Sequence, residues 1–218
     1  RLDNFVQYTQ SRTVRNFTER GFDVVEVDGE LTARLRARLR ERLSTARREG
    51  RKPLQGIYGP TIPKFVDHGE RDLLLAVKPL LEGWTRRSLP AGLFPVTAYG
   101  MRVYERGASL AWHTDRVDTH VISGIYHVSH EYDDPSRPWP IEIEGHDGER
   151  HAVDLAPGQM LLYESAKCPH GRPKEFQGDH YASVFVHFRP RDKDAWPYTQ
   201  HDVWLALPPD WDRGVRVK

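Results

Sequence analysis

The sequence predicts an α+β fold in which amino-terminal helices lie on one face of a β sandwich or small barrel. Three observations predict it. Leucines recur every four residues between 30 and 49, which is helical spacing. From about residue 95 onward, short β-rich runs alternate with turn signals. Helical segments come first and strands after, an order that segregates helices to one side of a sheet.

The elements follow in order. Residues 3–20 read as a helix and residues 22–27 as a strand. Residues 30–49 form the clearest helix, with Leu31, Leu35, Leu39 and Leu43 on one face and Gly50 placed as a carboxy-terminal cap. Arg34, Arg36, Arg38, Arg40, Arg42, Arg47 and Arg48 occupy its other faces, and the run reads as a solvated surface. Residues 51–69, with Pro53, Gly56, Gly59, Pro60 and Pro63, read as a loop. A long loop of this kind suggests a lid, and Tyr58 is its candidate substrate contact. Residues 70–87 read as a helix with a kink or break at Pro79. Strands are expected at 97–105, 119–129, 139–145, 150–155, 159–164, 168–172 and 180–189. Turns are expected at Gly107, at His146-Asp147-Gly148 and at Ala156-Pro157-Gly158. Residues 1–94 therefore form a helical support region of the same domain, 95–190 the core, and 191–218 an irregular extension bearing Trp196, Trp204 and Trp211.

Composition narrows the function classes. Of 218 residues, 38% are hydrophobic and 29% charged, as in a globular domain. No apolar run approaches the roughly 20 residues that span a bilayer. The single cysteine, Cys168, excludes an internal disulfide and a cysteine-rich zinc site, and fits a cytoplasmic setting. A net charge of +1 gives no general attraction to nucleic acid, so no nucleic-acid partner is expected. Oligomeric state is not legible.

The chemistry-bearing pattern is His113-Thr114-Asp115, followed after 170 − 113 = 57 positions by His170. Two imidazoles and one carboxylate can occupy one face of an octahedral metal and leave the opposite positions open, as in non-heme Fe(II) oxygenases. Residues i and i+2 of a strand point the same way, so an HxD triplet presents two ligands together. The third then comes from a distant strand folded back beside the first. A second triplet, His68-Gly69-Glu70, has no strand beneath it, and His68 reads as a loop histidine. His120, His127, His180 and His187 read as structural histidines.

The surrounding residues add a resemblance. Tyr104 to Gly107 forms Tyr-x-x-Gly before His113-x-Asp115, and a Pro157-Gly158 turn precedes the strand leading to His170. This combination, over residues 95–190, resembles the iron(II)/2-oxoglutarate-dependent dioxygenases in their prolyl 4-hydroxylase-like branch. The resemblance implies a double-stranded β-helix (jelly-roll, cupin-like) core. It implies Fe(II) on His113, Asp115 and His170, with 2-oxoglutarate as co-substrate and O2 as oxidant. It also implies a basic residue about ten positions after the distal histidine, to hold the 5-carboxylate of 2-oxoglutarate. Here that region reads Asp179-His180-Tyr181-Ala182-Ser183, without arginine or lysine.

Arg172 shares the face of His170 and is the first candidate for the missing cation. Arg102, on the face of Tyr104, is the second, with Tyr104 and Ser183 as hydroxyl partners. A guanidinium fork suits a carboxylate. Arg116, directly after the triplet, is a candidate substrate contact. The implied activity is hydroxylation of a small-molecule or amino-acid-type substrate, with release of succinate and CO2. Peptidyl-prolyl hydroxylation, an AlkB-like demethylation, and a non-catalytic cupin-type metal-binding barrel stand as alternatives.

Overall fold

A computed structural model describes residues 2–50 and 56–205. It contains helices α1 (Leu2–Thr13), α2 (Gly29–Arg42), α3 (Leu73–Thr85) and α4 (Gln200–Leu205). The first strands are β1 (Phe22–Glu26), β2 (Arg47–Arg48), β3 (Ile57–Tyr58) and β4 (Lys64–Val66). The core strands are β5 (Leu93–Tyr104), β6 (Ser109–His113), β7 (Ile122–Tyr132), β8 (Ile141–Glu144), β9 (Arg150–Val153), β10 (Gln159–Tyr163), β11 (His170–Arg172) and β12 (Gly178–Pro190).

These strands make two antiparallel sheets. The larger runs β1-β10-β7-β12-β5-β4-β2 and the smaller β3-β6-β11-β8-β9. From β5 to β12 the chain winds between them: larger, smaller, larger, two strands in the smaller, larger, smaller, larger. That winding is the double-stranded β-helix that the resemblance implies. Gly107, Gly148 and Gly158 all have positive φ at the expected turns.

Both faces of the larger sheet are buried, which explains why β7 is apolar through most of its length. Leu31, Leu35 and Leu39 of α2 and Leu73, Val77 and Leu81 of α3 pack on its outer face, against Met101, Val103, Tyr126, Met160, Val184 and Val186. Each such leucine stabilises the fold by about 1.5–3 kcal/mol. Asp28 starts α2 by accepting hydrogen bonds from the Glu30 and Leu31 amides.

The structure corrects several boundaries. α1 stops at Thr13 rather than near residue 20. α2 stops at Arg42 and closes with one 3-10 turn over Leu43–Thr45, so Gly50 caps no helix. The buried stripe ends at Leu39, and the Ser44-Thr45 pair favours a helix little. Within the expected loop 51–69, the described residues 56–69 are not plain loop, because β3 extends the smaller sheet and β4 the larger, and β2 takes residues 47–48 out of the expected helix. Pro79 lies inside α3, which runs through it. It is exposed, on the side of the exposed Leu75, where water can satisfy the carbonyl that proline leaves unbonded. The carboxy-terminal region contains α4. Trp211 and residues 51–55 lie outside the described residues.

Candidate metal centre

The two histidines meet because β6 and β11 are neighbours. His113 ends β6, His170 begins β11, and the two are directly paired. Their ring centroids are 4.4 Å apart. Gly171 permits this approach: a Cβ there would sit 2.9 Å from the Ala111 carbonyl oxygen and 3.0 Å from that of Leu110. Asp115 lies just beyond the end of β6, so strand alternation alone does not aim it. Its amide donates to the Ser165 carbonyl at 2.8 Å, which ties it to the loop leading into β11.

The donor atoms converge. Asp115 Oδ1 lies 3.6 Å from His113 Nε2 and 3.9 Å from His170 Nε2. One ligand atom from each of the three residues falls within 4.8 Å of the others. Both imidazoles are oriented from behind. His113 Nδ1 contacts the Ala111 carbonyl at 2.8 Å, and His170 Nδ1 contacts that of Cys168 at 2.9 Å. A carbonyl can only accept, so each Nδ1 carries the proton and each Nε2 presents its lone pair to the centre. Two such lone pairs and a carboxylate suit a divalent transition ion.

Electrostatics agree with that reading. Burial pushes the His170 pKa down to about 4, helped by His113, so the ring is neutral and able to ligate. Burial alone would raise the Asp115 pKa, but His170, His187, His113 and His120 around it hold it below the usual carboxylate range. Tyr163 donates to Asp115 Oδ2 at 3.4 Å, and burial raises its own pKa well above that of free tyrosine.

The triad lines a cavity of about 210 Å³. Its other walls include Tyr99, Arg102, His120, Tyr163, Phe185 and His187. His120 and His187, read as structural from the sequence, therefore face the metal centre. Their rings lie 3.8 Å apart between centroids, tilted by 35°, and His187 Nδ1 meets Ser123 Oγ at 2.7 Å. His127 and His180 do not line this cavity: His127 contacts Ser183 and His130, and His180 contacts Ser129 and Asp179. His68 sits in its loop, accepting from the Glu70 amide.

The two candidate cations occupy different depths. Arg102 lines the cavity but is already paired, with Nε 2.5 Å from Glu49 Oε2 and Nη2 2.8 Å from Oε1. Arg172 does not line that cavity. It lies deeper, 3% exposed, between the rings of Trp139 and Tyr181 at 4.6 and 4.3 Å. Its guanidinium donates to the Trp139 carbonyl and, at 3.0 Å, to the Tyr181 hydroxyl. No carboxylate among the described residues lies within ion-pairing distance of it. The buried Tyr104 hydroxyl makes no well-formed hydrogen bond but interacts electrostatically with Arg102, and its ring packs on Trp139 at 5.2 Å. A buried cation without an anion is what a site for a carboxylate should offer. Ser183, on the β12 face of Tyr181, contacts only His127 Nδ1, at 3.3 Å. Tyr58 is 63% exposed on β3, and neither it nor the exposed Arg116 lines the cavity.

No protein-family model matches the sequence, and no curated protein matches it. Solved structures do. A prolyl-4-hydroxylase of Pseudomonas putida aligns with a TM-score of 0.57 at 20% identity, over 88% of this chain and all of that one. A prolyl hydroxylase from Trichoplax adhaerens, solved with a peptide of hypoxia inducible factor, aligns with a TM-score of 0.57 at 15% identity, over 90% and 91% of the two chains. The chain has the prolyl 4-hydroxylase-like fold. The non-heme α-ketoglutarate-dependent epimerase SnoN from nogalamycin biosynthesis also aligns, at 0.57 and 15% identity over 84% and 82%. At these identities the likeness concerns the fold. Among the described residues no helix is long and apolar enough to cross a membrane.

Proposed function

We propose that this protein is an Fe(II)- and 2-oxoglutarate-dependent dioxygenase acting on a small-molecule or amino-acid-type substrate. The observation that carries the reading is the His113–Asp115–His170 triad, with both Nδ1 atoms locked and both Nε2 atoms free, at one end of a double-stranded β-helix. When bound, the iron and 2-oxoglutarate supply the oxidising chemistry, which consumes O2 and ends in succinate, CO2 and an oxidised product.

The chain's own residues do the rest. His113, Asp115 and His170 hold the ion on one side and leave the cavity side open. Arg172, with the Tyr104 hydroxyl and Ser183, holds the distal carboxylate of 2-oxoglutarate, and the arginine expected on the last strand is replaced by one from β11. Tyr99, His120 and His187 form the wall that a substrate meets, while Phe185 and Ile125 keep the inner cavity apolar. Tyr163 donates to the outer oxygen of Asp115 and keeps that carboxylate turned toward the two imidazoles.

The test is direct. Under anaerobic conditions, Fe(II) with 2-oxoglutarate should give a weak visible charge-transfer band, and air should then release succinate. A zinc-type hydrolase or a metal-storing barrel gives neither. A protein that binds Fe(II) through the triad but develops no band with 2-oxoglutarate would remove the co-substrate from the reading.

A further inference from the structure

Helices α1 and α4 converge on the loops that carry the ligands. Gln10, on α1, is 3% exposed and lies outside the β core. Its side-chain Nε2 donates to the Asp115 carbonyl at 2.6 Å and to the Ala166 carbonyl at 2.9 Å. The first carbonyl belongs to a ligand. The second lies in the loop that delivers His170. A primary amide has two N–H groups in one fixed plane, so a single side chain that uses both sets the separation of the groups it joins. Gln10 is itself oriented from behind: its oxygen accepts from Gln200 Nε2 of α4 at 3.5 Å. Gln200 is held in turn, its amide donating to Asp118 Oδ1 at 3.1 Å.

Other contacts run the same way. Gln7 Oε1 accepts from the amide and the hydroxyl of Thr114, the residue between the two ligands of the triplet. Lys167 Nζ donates to the Val14 carbonyl at 2.7 Å, and Trp196 Nε1 to the Val117 carbonyl at 2.8 Å. Val14, Val117 and Val203 bury one another where the three segments meet. β6 has already ended at His113, and within the core Asp115 is held by its amide on the Ser165 carbonyl and by the Tyr163 hydroxyl, so the Gln10 bridge is a further tie between the same two loops.

We infer that Gln10 is a positioning residue for the metal centre, setting the distance between the Asp115 loop and the His170 loop, with Gln200 as its support and Gln7 holding Thr114 alongside. The inference rests on the triad being a metal site. It also gives the amino-terminal helix and the carboxy-terminal extension a task in the chemistry of the core.

Co(II) titration of the full chain, freed of metal by chelation, tests it. The readouts are the dissociation constant, the d–d absorption spectrum and the melting temperature of the metal-free protein. Gln10→Glu keeps the shape and, once ionised, has no donor for either carbonyl. Gln10→Ala removes the bridge. Thr9→Val is the control, since the buried Thr9 hydroxyl has no hydrogen-bond partner to lose. Wild type and Thr9→Val should bind one Co(II) with the same affinity and spectrum. Both Gln10 variants should bind about 10- to 100-fold more weakly, the usual range for a group that orients a ligand, with an altered d–d spectrum. A folded Gln10→Glu protein that matches wild type in affinity and spectrum overturns the proposal. If neither Gln10 variant folds, Gln7→Ala and Gln200→Ala decide: each should weaken Co(II) binding by a smaller factor, and wild-type affinity in both overturns it. Should wild type itself bind no Co(II), or bind it equally well after His113→Ala, the metal reading fails, and the role of Gln10 with it.

Discussion

Arg172→Met separates a structural arginine from one that waits for an anion. Methionine keeps much of the length and packing but removes the charge and the donors. In the metal-free protein the buried guanidinium carries a desolvation cost of several kcal/mol. Two charge-assisted hydrogen bonds, to the Trp139 carbonyl and the Tyr181 hydroxyl, offset it by about 1.5–3 kcal/mol each. The flanking Trp139 and Tyr181 rings add about 0.5–2 kcal/mol each. These terms nearly cancel, so metal-free stability should change by no more than about 2 kcal/mol. Binding of 2-oxoglutarate has no such cancellation. Loss of a buried, charge-assisted carboxylate contact costs about 2–4 kcal/mol, or roughly 30- to 700-fold in Kd. Ligand at one hundred times the wild-type Kd stabilises wild type by about 2.7 kcal/mol. After a hundredfold loss of affinity, the same concentration gives the variant only about 0.4 kcal/mol. Thermal unfolding of the Mn(II)-loaded protein with and without 2-oxoglutarate reads this difference, and an anaerobic Fe(II) charge-transfer titration gives the Kd. An unchanged Kd in Arg172→Met would refute the reasoning. Loss confined to Arg102→Ala would place the anchor on β5.

Three further outcomes are expected. His113→Ala, Asp115→Ala and His170→Ala should each abolish Fe(II)-dependent succinate formation with little change in circular dichroism; full turnover in His113→Ala would remove the triad assignment. Gly171→Ala should weaken metal binding about tenfold or more, because its Cβ would push β11 off β6; isothermal titration with Co(II) checks this, and wild-type affinity contradicts it. The metal-free protein should lose stability as pH falls from about 6.5 toward 4. His170, at about 4, and His187, at about 3, are depressed chiefly by burial. The folded state therefore binds fewer protons than the unfolded state across that window, and each such histidine contributes up to about 1.4 kcal/mol per pH unit. Urea midpoints measured between pH 7.5 and 4.5 read the slope, and a flat profile counts against the buried neutral histidines.

What the sequence made legible was local. α2 showed in its leucine spacing, and the turns at Gly107, Gly148 and Gly158 showed in residue type, because both signals act over a few positions. The ends of α1 and α2 did not, because packing sets them: the buried stripe runs out after Leu39 although helical residues continue. Pro79 looked like a break because a sequence does not say which side of a helix meets water. His120 and His187 looked structural because a lone histidine has no periodic signature, and only the closing of β12 beside β7 brings them to the cavity. Gln10 gave no signal at all, since it reaches Asp115 across 105 positions.

The proposed exchange of cation position is compatible with the barrel's construction. β11 belongs to the smaller sheet and β12 to the larger, and their inward faces oppose each other. A residue two positions after His170 points inward one layer below the metal ligand, and an arginine there is long enough to cross the barrel. Its guanidinium reaches the hydroxyl of Tyr181, which stands where the resemblance implies a basic residue. On the proposed reading, the charge is delivered to the layer of Tyr181 from the opposite wall. The hydroxyls that would complete the site need not move, because Tyr104 and Ser183 project from β5 and β12 regardless of which strand carries the cation. Tyr104 pairs with Tyr181 across those strands and Ser183 with Arg102, so the second arginine is kept one layer nearer the metal, where Glu49 already neutralises it. A fold that closes two sheets around one axis fixes where a charge must sit; it leaves open which strand supplies it.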